Sequence, residues 1–246
     1  MIHKSQVFKT INFKNPTYVG DPLNAVRIFN EKKVDELFVM DIDATPQNSE
    51  PNFELIAKLS RECEMPLTYA GGIKSLQSAE KIIESGVEKI GVGNEAIKNS
   101  ELIPKIVDNL GAQSVAGIVN FQSVKGNTKY EIYSPINELS NLDAIQHVQN
   151  LLKQGVGELV INSVDRDGTM QGYDTNFLKS VVDISNCALS IIGGAGSIED
   201  FVEALKIADT RVGLAAGSLF TFRGKYRSVL LSYLSEEDRL KFPSVT

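Results

Sequence analysis

The chain has 246 residues, 42% of them hydrophobic and 23% charged, with a formal net charge of −6. That length suits one α/β barrel or two small domains, and the composition is ordinary for a soluble globular protein. The acidic balance and the lack of a basic block argue against a nucleic-acid partner. No signal-peptide pattern is present, and no apolar run approaches the about 18 residues of a membrane span.

In chain order, residues 7–13 alternate and predict a strand or hairpin arm. Residues 15–21 predict a loop, and Asp21-Pro22 an N-cap with proline at the first helical position, opening a helix to about Lys33. Residues 36–42 are a near-continuous apolar run, as expected of a strand buried on both faces of a parallel sheet. A polar loop at 43–51 leads to a helix carrying Phe53, Ile56, Leu59 and Cys63. Strands are predicted at 67–70, 89–92 and 114–119, and helices at 76–85 and along the stripe of Leu102, Ile106 and Leu110. Residues 120–141 read as a long excursion containing a hairpin arm at 130–133. Ile145, Val148 and Leu152 mark the next helix, with His147 expected on its surface. Strands at 158–162, 188–192 and 211–215 alternate with helices at 175–184 and 198–206, and residues 226–234 close the chain. Alternating strands and helices imply right-handed βαβ units around a parallel sheet.

The chain also repeats itself. Tyr69-Ala-Gly-Gly-Ile73 is matched 122 residues later by Ile191-Ile-Gly-Gly-Ala195. At the same step, residues 35–43 fall on 157–165, and Lys89-Ile-Gly-Val92 on Arg211-Val-Gly-Leu214, without gaps. Two such copies predict one (β/α)8 TIM barrel domain over 1–246, built from half-barrels at 1–110 and 111–246. The step leaves strand 114–119 without a partner, because its counterpart would precede Met1, and maps 7–13 onto the excursion. The first barrel strand is therefore expected to be missing from the chain as given, and 7–13 is not expected to be that strand; either the start given is too late, or the barrel is incomplete, or 7–13 is recruited into the gap. An upstream apolar strand is the expectation that follows.

In such barrels the site lies at the C-terminal strand ends. Both Gly-Gly pairs fall there, each before a helix with a serine N-cap, Ser75 or Ser197. Glycine admits a phosphate to the backbone, and a helix start offers unpaired N–H groups. Gly71, Gly72, Gly93 and Asn94 form one predicted phosphate cup. Gly168, Gly193, Gly194, Ala216, Gly217 and Ser218 form the other. Two cups at one mouth suit a ligand with a phosphate at each end, while purely structural turns are the alternative. Cys63 and Cys187 lack any CxxC or metal spacing and read as thiols in a reducing cytosol. With only His3 and His147, no metal site and no cofactor are expected.

These motifs, with Lys9-Thr-Ile-Asn-Phe13, Gly20-Asp21-Pro22, Ser163-Val-Asp-Arg-Asp-Gly-Thr169 and Gly172-Tyr-Asp174, resemble the cyclase subunit family of imidazole glycerol phosphate synthase over essentially the whole chain. The resemblance implies a cytoplasmic lyase-type subunit of a glutamine amidotransferase complex. Its glutaminase partner would sit on the N-terminal barrel face and feed ammonia through the barrel to a phosphorylated small molecule. It also places Lys9, Asn12, Ser163 and Thr169 in the substrate mouth. The family's acid–base work resembles that of two aspartates, one ending strand one and one ending strand five. Here the strand-five position aligns with Val119, or with Asn120 after a one-residue slip, and the other falls at or before Met1. Neither Val119 nor Asn120 shuttles a proton as a carboxylate does. Asp41 and Asp167 match acids near the family site and are expected in the mouth, while Asp43 and Asp165 read as loop caps. Glu36, Lys89 and Glu158 match a charged gate at the ammonia entrance; solvated strand-start charges are the alternative.

The leading expectation is a look-alike found in surface-polysaccharide clusters, conducting ammonia for amidation of a phosphate-bearing sugar, with or without a separate amidotransferase. The alternatives are the histidine-pathway cyclase itself and a non-catalytic scaffold that activates a glutaminase.

Overall fold

The computed structural model describes residues 1–136 and 141–242. The chain opens with the two-residue strand β1 (Ile2–His3) and an antiparallel hairpin of β2 (Gln6–Ile11) and β3 (Lys14–Gly20). Residues 7–13 thus lie outside the parallel sheet, as expected, but the loop predicted at 15–21 is the second arm of this hairpin. Helix α1 (Pro22–Glu31) begins at Asp21, whose carboxylate accepts the Asn24 N–H at 2.9 Å, with proline in the first turn.

Units of strand and helix follow: β4 (Leu37–Met40), α2 (Phe53–Glu62), β5 (Leu67–Ala70), α3 (Leu76–Glu84) and β6 (Lys89–Val92). The short α4 (Asn94–Lys98), unannounced by any periodicity, precedes α5 (Leu102–Leu110). Strand β7 (Val115–Ser123) runs on into the excursion and pairs antiparallel with β8 (Tyr130–Ile132); residues 137–140 of that excursion lie outside the described residues. Next come α6 (Ala144–Lys153), β9 (Glu158–Ser163), α7 (Thr175–Val182), β10 (Ala188–Ile192), α8 (Ile198–Ile207), β11 (Gly213–Leu214) and α9 (Ser218–Thr221). The closing segment is a small hairpin of β12 (Phe222–Arg223) and β13 (Ser228–Val229), then α10 (Glu236–Arg239). No helix of the described residues is long and apolar enough to cross a membrane.

The parallel strands pair in chain order, β4-β5-β6-β7-β9-β10-β11, and successive helices pack side by side over them. This is the singly wound α/β arrangement of a TIM barrel. Beyond the end of β4, Ile2 makes a parallel bridge with Asp41, and its carbonyl accepts the Ile42 N–H at 3.0 Å.

The duplication is visible in the register. Leu37 pairs with Leu67 in one copy and Leu159 with Leu189 in the other, 122 residues on. The match fails one strand later. Thr68 pairs with Lys89, yet Ser190 pairs with Gly213 rather than Arg211. The second copy is two residues longer between the start of α8 and β11, a stretch in which Asp209 and Thr210 adopt φ of 50° and 61°. The gap-free match of Lys89-Ile-Gly-Val92 to Arg211-Val-Gly-Leu214 is therefore corrected. The equivalent turns are Gly93-Asn94 and Gly217-Ser218, and Gly93 and Gly217 are indeed the N-caps of α4 and α9.

Strand alternation sorts the side chains into two layers. Ala70, Ala116, Ile118, Val160 and Ile192 form a small cluster inside the sheet, joined by Phe38, Met40 and Ala215. The larger cluster lies between sheet and helices and holds Ile56, Leu59, Ile82, Ile106, Leu151 and Phe177. Phe121 of β7 stacks on Phe177 of α7, with ring centroids 3.8 Å apart. Burying this outer layer supplies about 25 cal/mol per Å² of apolar surface removed from water. His147 belongs to it as well. The expectation of a surface histidine is corrected: its side chain is buried with Ala144, Val148 and Leu151 on one face of α6.

Candidate functional site

A cavity of ≈ 270 Å³ opens at the C-terminal ends of the strands, lined by Met40, Asp41, Gly71, Gly72, Gly93, Asn94, Asn120 and Tyr133. The whole first predicted cup therefore faces one space. Lys74 and Lys98 stand on the same lining.

Helix α3 begins beside it with a reciprocal cap. Ser75 Oγ accepts the Ser78 N–H at 3.1 Å, and Ser78 Oγ accepts the Ser75 N–H at 3.2 Å. Gly71 and Gly72 take φ of 133° and 70°, and a side chain on either would strike protein, Asp41 in one case and Ala44 in the other. Their glycine character is thus demanded by the turn itself. Gly93 differs: its φ is −115°, and an added methyl would meet only Ile118 at 3.5 Å.

The second cup is assembled from three loops and lies outside that cavity lining. Gly193 (φ 90°) abuts Asn162 and Ser163, Gly194 (φ 113°) abuts Gly172, and Gly168 (φ 75°) abuts Thr10 of the N-terminal hairpin. The Lys9 ammonium lies against Gly217 and 3.8 Å from Asp167. Ala216 follows Ala215, whose carbonyl accepts the Tyr173 hydroxyl at 2.9 Å. Thr169 closes its turn on the Arg166 carbonyl at 2.8 Å.

The four predicted acids divide by partner. Asp41 lines the cavity; its Oδ1 accepts the Asp43 and Ala44 N–H groups, and its Oδ2 is 3.4 Å from Tyr69 Oη. Burial, and then this carboxylate, push the Tyr69 phenol well above its ordinary range. Asp167 is buried and accepts the Thr10 hydroxyl at 3.0 Å. Asp43 and Asp165 are loop caps. Asp43 holds His3 at 2.6 Å and the Lys4 N–H at 2.7 Å, and Asp165 accepts the Ser123 N–H and hydroxyl, both at 2.7 Å. Asn12 is a latch of the same kind, donating to the carbonyls of Val164 and Asp165 at 3.1 and 2.5 Å.

On β7, the residue that reaches the mouth is Asn120. Val119 is fully buried in the layer under the helices, while Asn120 lines the cavity. Val119 is therefore corrected as the strand-five position: alternation turns it outward, and the one-residue slip supplies the inward side chain. Asn120 Oδ1 accepts the Asn162 Nδ2 at 3.1 Å. Two carboxamides thus meet at the edge of the mouth, Asn120 on the cavity lining and Asn162 buried behind it. Asn162 Oδ1 and Ser163 Oγ are buried with no partner among the described residues, positions that favour a hydrogen-bonding ligand or water.

At the opposite ends of the strands, Glu36, Lys89 and Glu158 do come together. Lys89 Nζ lies 3.0 Å from Glu36 and 2.7 Å from Glu158. Thr68 donates to Glu36 at 2.8 Å and Ser190 to Glu158 at 2.6 Å. Burial works to lower the Lys89 pKa, but the bonds to Glu158 and Glu36 outweigh it and hold the ammonium above its ordinary value. Between this ring and the mouth lie the apolar side chains of the inner cluster. Among the described residues, no group of three or more His, Cys, Asp or Glu side chains is arranged to hold a metal ion.

A family model described as histidine biosynthesis protein matches residues 2–227. A Leptospira interrogans protein, provisionally named imidazole glycerol phosphate synthase subunit HisF, is 41% identical over 243 residues, covering 97% of this chain and 94% of that protein. A Pseudomonas aeruginosa protein with the provisional name subunit hisF2 is 44% identical over 229 residues, covering 92% and 89%. The imidazole glycerol phosphate synthase subunit HisF of Lactococcus lactis subsp. cremoris is 33% identical over 222 residues, covering 90% and 85%.

Proposed function

Because the chain belongs to the histidine biosynthesis protein family, we propose that it is the barrel subunit of a glutamine-dependent synthase in which the cyclase acid of strand five is replaced by Asn120. On this reading a cytoplasmic glutaminase docks on the strand-start face. Ammonia released there passes the Glu36–Lys89–Glu158 ring, crosses the apolar interior and reaches a phosphate-bearing acceptor held in the mouth. The inner cluster of Ala70, Ala116, Ile118, Val160 and Ile192 favours neutral ammonia over ammonium, since an unpaired charge there meets a desolvation penalty of several kcal/mol. The acceptor is a sugar or nucleotide-linked sugar with phosphate in both glycine cups, and amidation of a surface-polysaccharide precursor fits this chemistry. A separate amidotransferase taking over the transfer step fits it equally.

The single observation that carries this reading is Asn120. It occupies the inward position on β7 and its Oδ1 is already engaged by Asn162. A carboxamide neither gives nor takes a proton in the ordinary pH range, and a general acid or base contributes about 10²–10⁴-fold. A mouth built this way can bind, orient and hydrogen-bond its ligand but has no proton carrier at the strand-five position for ring closure. The test is turnover of the histidine-pathway intermediate with ammonium salts. No imidazole glycerol phosphate above background is expected, and sustained turnover rejects the proposal.

A further inference from the structure

The two cups differ in charge, and the difference isolates one arginine. In the first, the cap on α3 is the neutral pair Ser75 and Ser78. In the second, the third residue of α8 is Asp200. Its Oδ2 accepts the N–H groups of Gly196 and Ser197 at 2.8 and 2.9 Å. A carboxylate therefore occupies two backbone donors of the glycine turn leading into the helix, and repels a second anion placed beside it. Lys9 offsets this in part, but its ammonium is shared with the buried Asp167.

Arg227 has no such partner. Among the described residues it makes no ion pair with a carboxylate, although its side chain is half-buried. It is nevertheless held in place. Nη1 donates to the Gly168 carbonyl at 3.1 Å and Nη2 to Ser218 Oγ at 3.4 Å. The guanidinium lies 4.5 Å over the Phe222 ring. Both hydrogen-bond partners are residues of the second cup. The turn between β12 and β13 delivers the side chain, with a φ of 51° at Arg227 itself and its N–H on the Gly224 carbonyl at 3.0 Å. A guanidinium has five N–H donors in a planar fork matched to phosphate oxygens, so two such contacts leave donors free.

We propose that Arg227 is a phosphate-binding residue of the second cup, brought there by the C-terminal hairpin to offset Asp200. This rests on the two-phosphate reading above. The hairpin thereby sets the preference of that cup for a doubly charged phosphomonoester.

The test is calorimetric titration of the full chain with methyl phosphate at fixed ionic strength, across its second ionisation near pH 6. Wild type is compared with Arg227→Ala, Arg227→Lys and, on the same hairpin, Arg223→Ala. Two binding sites are expected in wild type. Arg227→Ala should weaken one by about 10- to 100-fold, as for a lost charge-assisted hydrogen bond. The gain in affinity between the monoanion and the dianion should shrink at that site. Arg227→Lys should recover part of both effects, and Arg223→Ala should change neither. If wild type binds at two sites and Arg227→Ala leaves both affinities and the pH profile unchanged, the inference fails and the two-phosphate reading stands. Equal losses in Arg227→Lys and Arg227→Ala, with a lowered melting temperature, mark a purely structural latch and overturn it too. If wild type binds no phosphate at all, the two-phosphate reading fails and takes the inference with it.

Discussion

Lys89 and Glu158 meet across the barrel floor, with Nζ and Oε2 2.7 Å apart, although they begin strands β6 and β9 and β7 runs between them. With Glu36 at 3.0 Å on the other side, one ammonium bridges two carboxylates at the entrance to the inner cluster. Under the proposed ammonia route, this ring is the closed state, and side-chain rotation alone opens it, without movement of the sheet. Lys89→Ala in the complex with the glutaminase should leave glutamine hydrolysis running. Transfer supported by added ammonium should be unchanged, while product per glutamine consumed falls. A ratio equal to that of wild type would mean that these charges are a solvated floor.

The glycines of the cups are not equally informative. Valine at Gly72 or Gly194 introduces strain and backbone collisions, so lost binding would report misfolding. Gly93→Ala and Gly217→Ala avoid this. Both backbones have negative φ; the first methyl meets Ile118 at an ordinary distance, and the second meets the movable end of Lys9. Each should weaken binding of a sugar bisphosphate by about fivefold to tenfold, equivalent to about 1 kcal/mol, with melting temperatures close to wild type. Calorimetry with a bisphosphate and its two monophosphates checks this; equal affinities across all variants would count against both cups.

Acid should destabilise the fold through His147. Burial depresses its folded-state pKa to about 4, and its Nε2 has no partner among the described residues. The unfolded chain, with an ordinary value near 6.5, takes up the proton first as pH falls. Stability from this group is therefore constant above about pH 6.5 and declines between 6.5 and 4. The loss reaches about 3 kcal/mol. Urea unfolding at pH 7, 5.5 and 4.5 should show that decline, and His147→Leu should flatten it. Parallel pH profiles for the two proteins would remove His147 as the cause.

Much of this architecture could be read from residue order, because burial leaves a period. The run at 36–42 and the stripe at Phe53, Ile56 and Leu59 are set by which faces meet the core, and the repeat placed both glycine pairs at strand ends. The failures are equally physical. Arg211-Val-Gly-Leu214 matches Lys89-Ile-Gly-Val92 residue for residue, yet register is fixed by ladder hydrogen bonds, and two added residues before β11 shift it. Whether Val119 or Asn120 faces the mouth turns on one step of alternation, which the aromatic Phe121 in the outer layer could have fixed. His147 shares a helix face with Ala144, Val148 and Leu151, a spacing that already pointed inward. Arg227 left no such signal, because a short hairpin has no period and its cup is formed by residues about 10 and 60 positions away.

The most direct measurement is product formation from ammonium and the histidine-pathway intermediate by the purified chain, beside Asn120→Asp. The substitution is nearly isosteric and restores a carboxylate at the inward position of β7, where Asn162 Nδ2 can still donate. The account predicts no imidazole glycerol phosphate above background for wild type, while both proteins bind phosphate equally. Sustained turnover by wild type would contradict it, whatever the rate of Asn120→Asp.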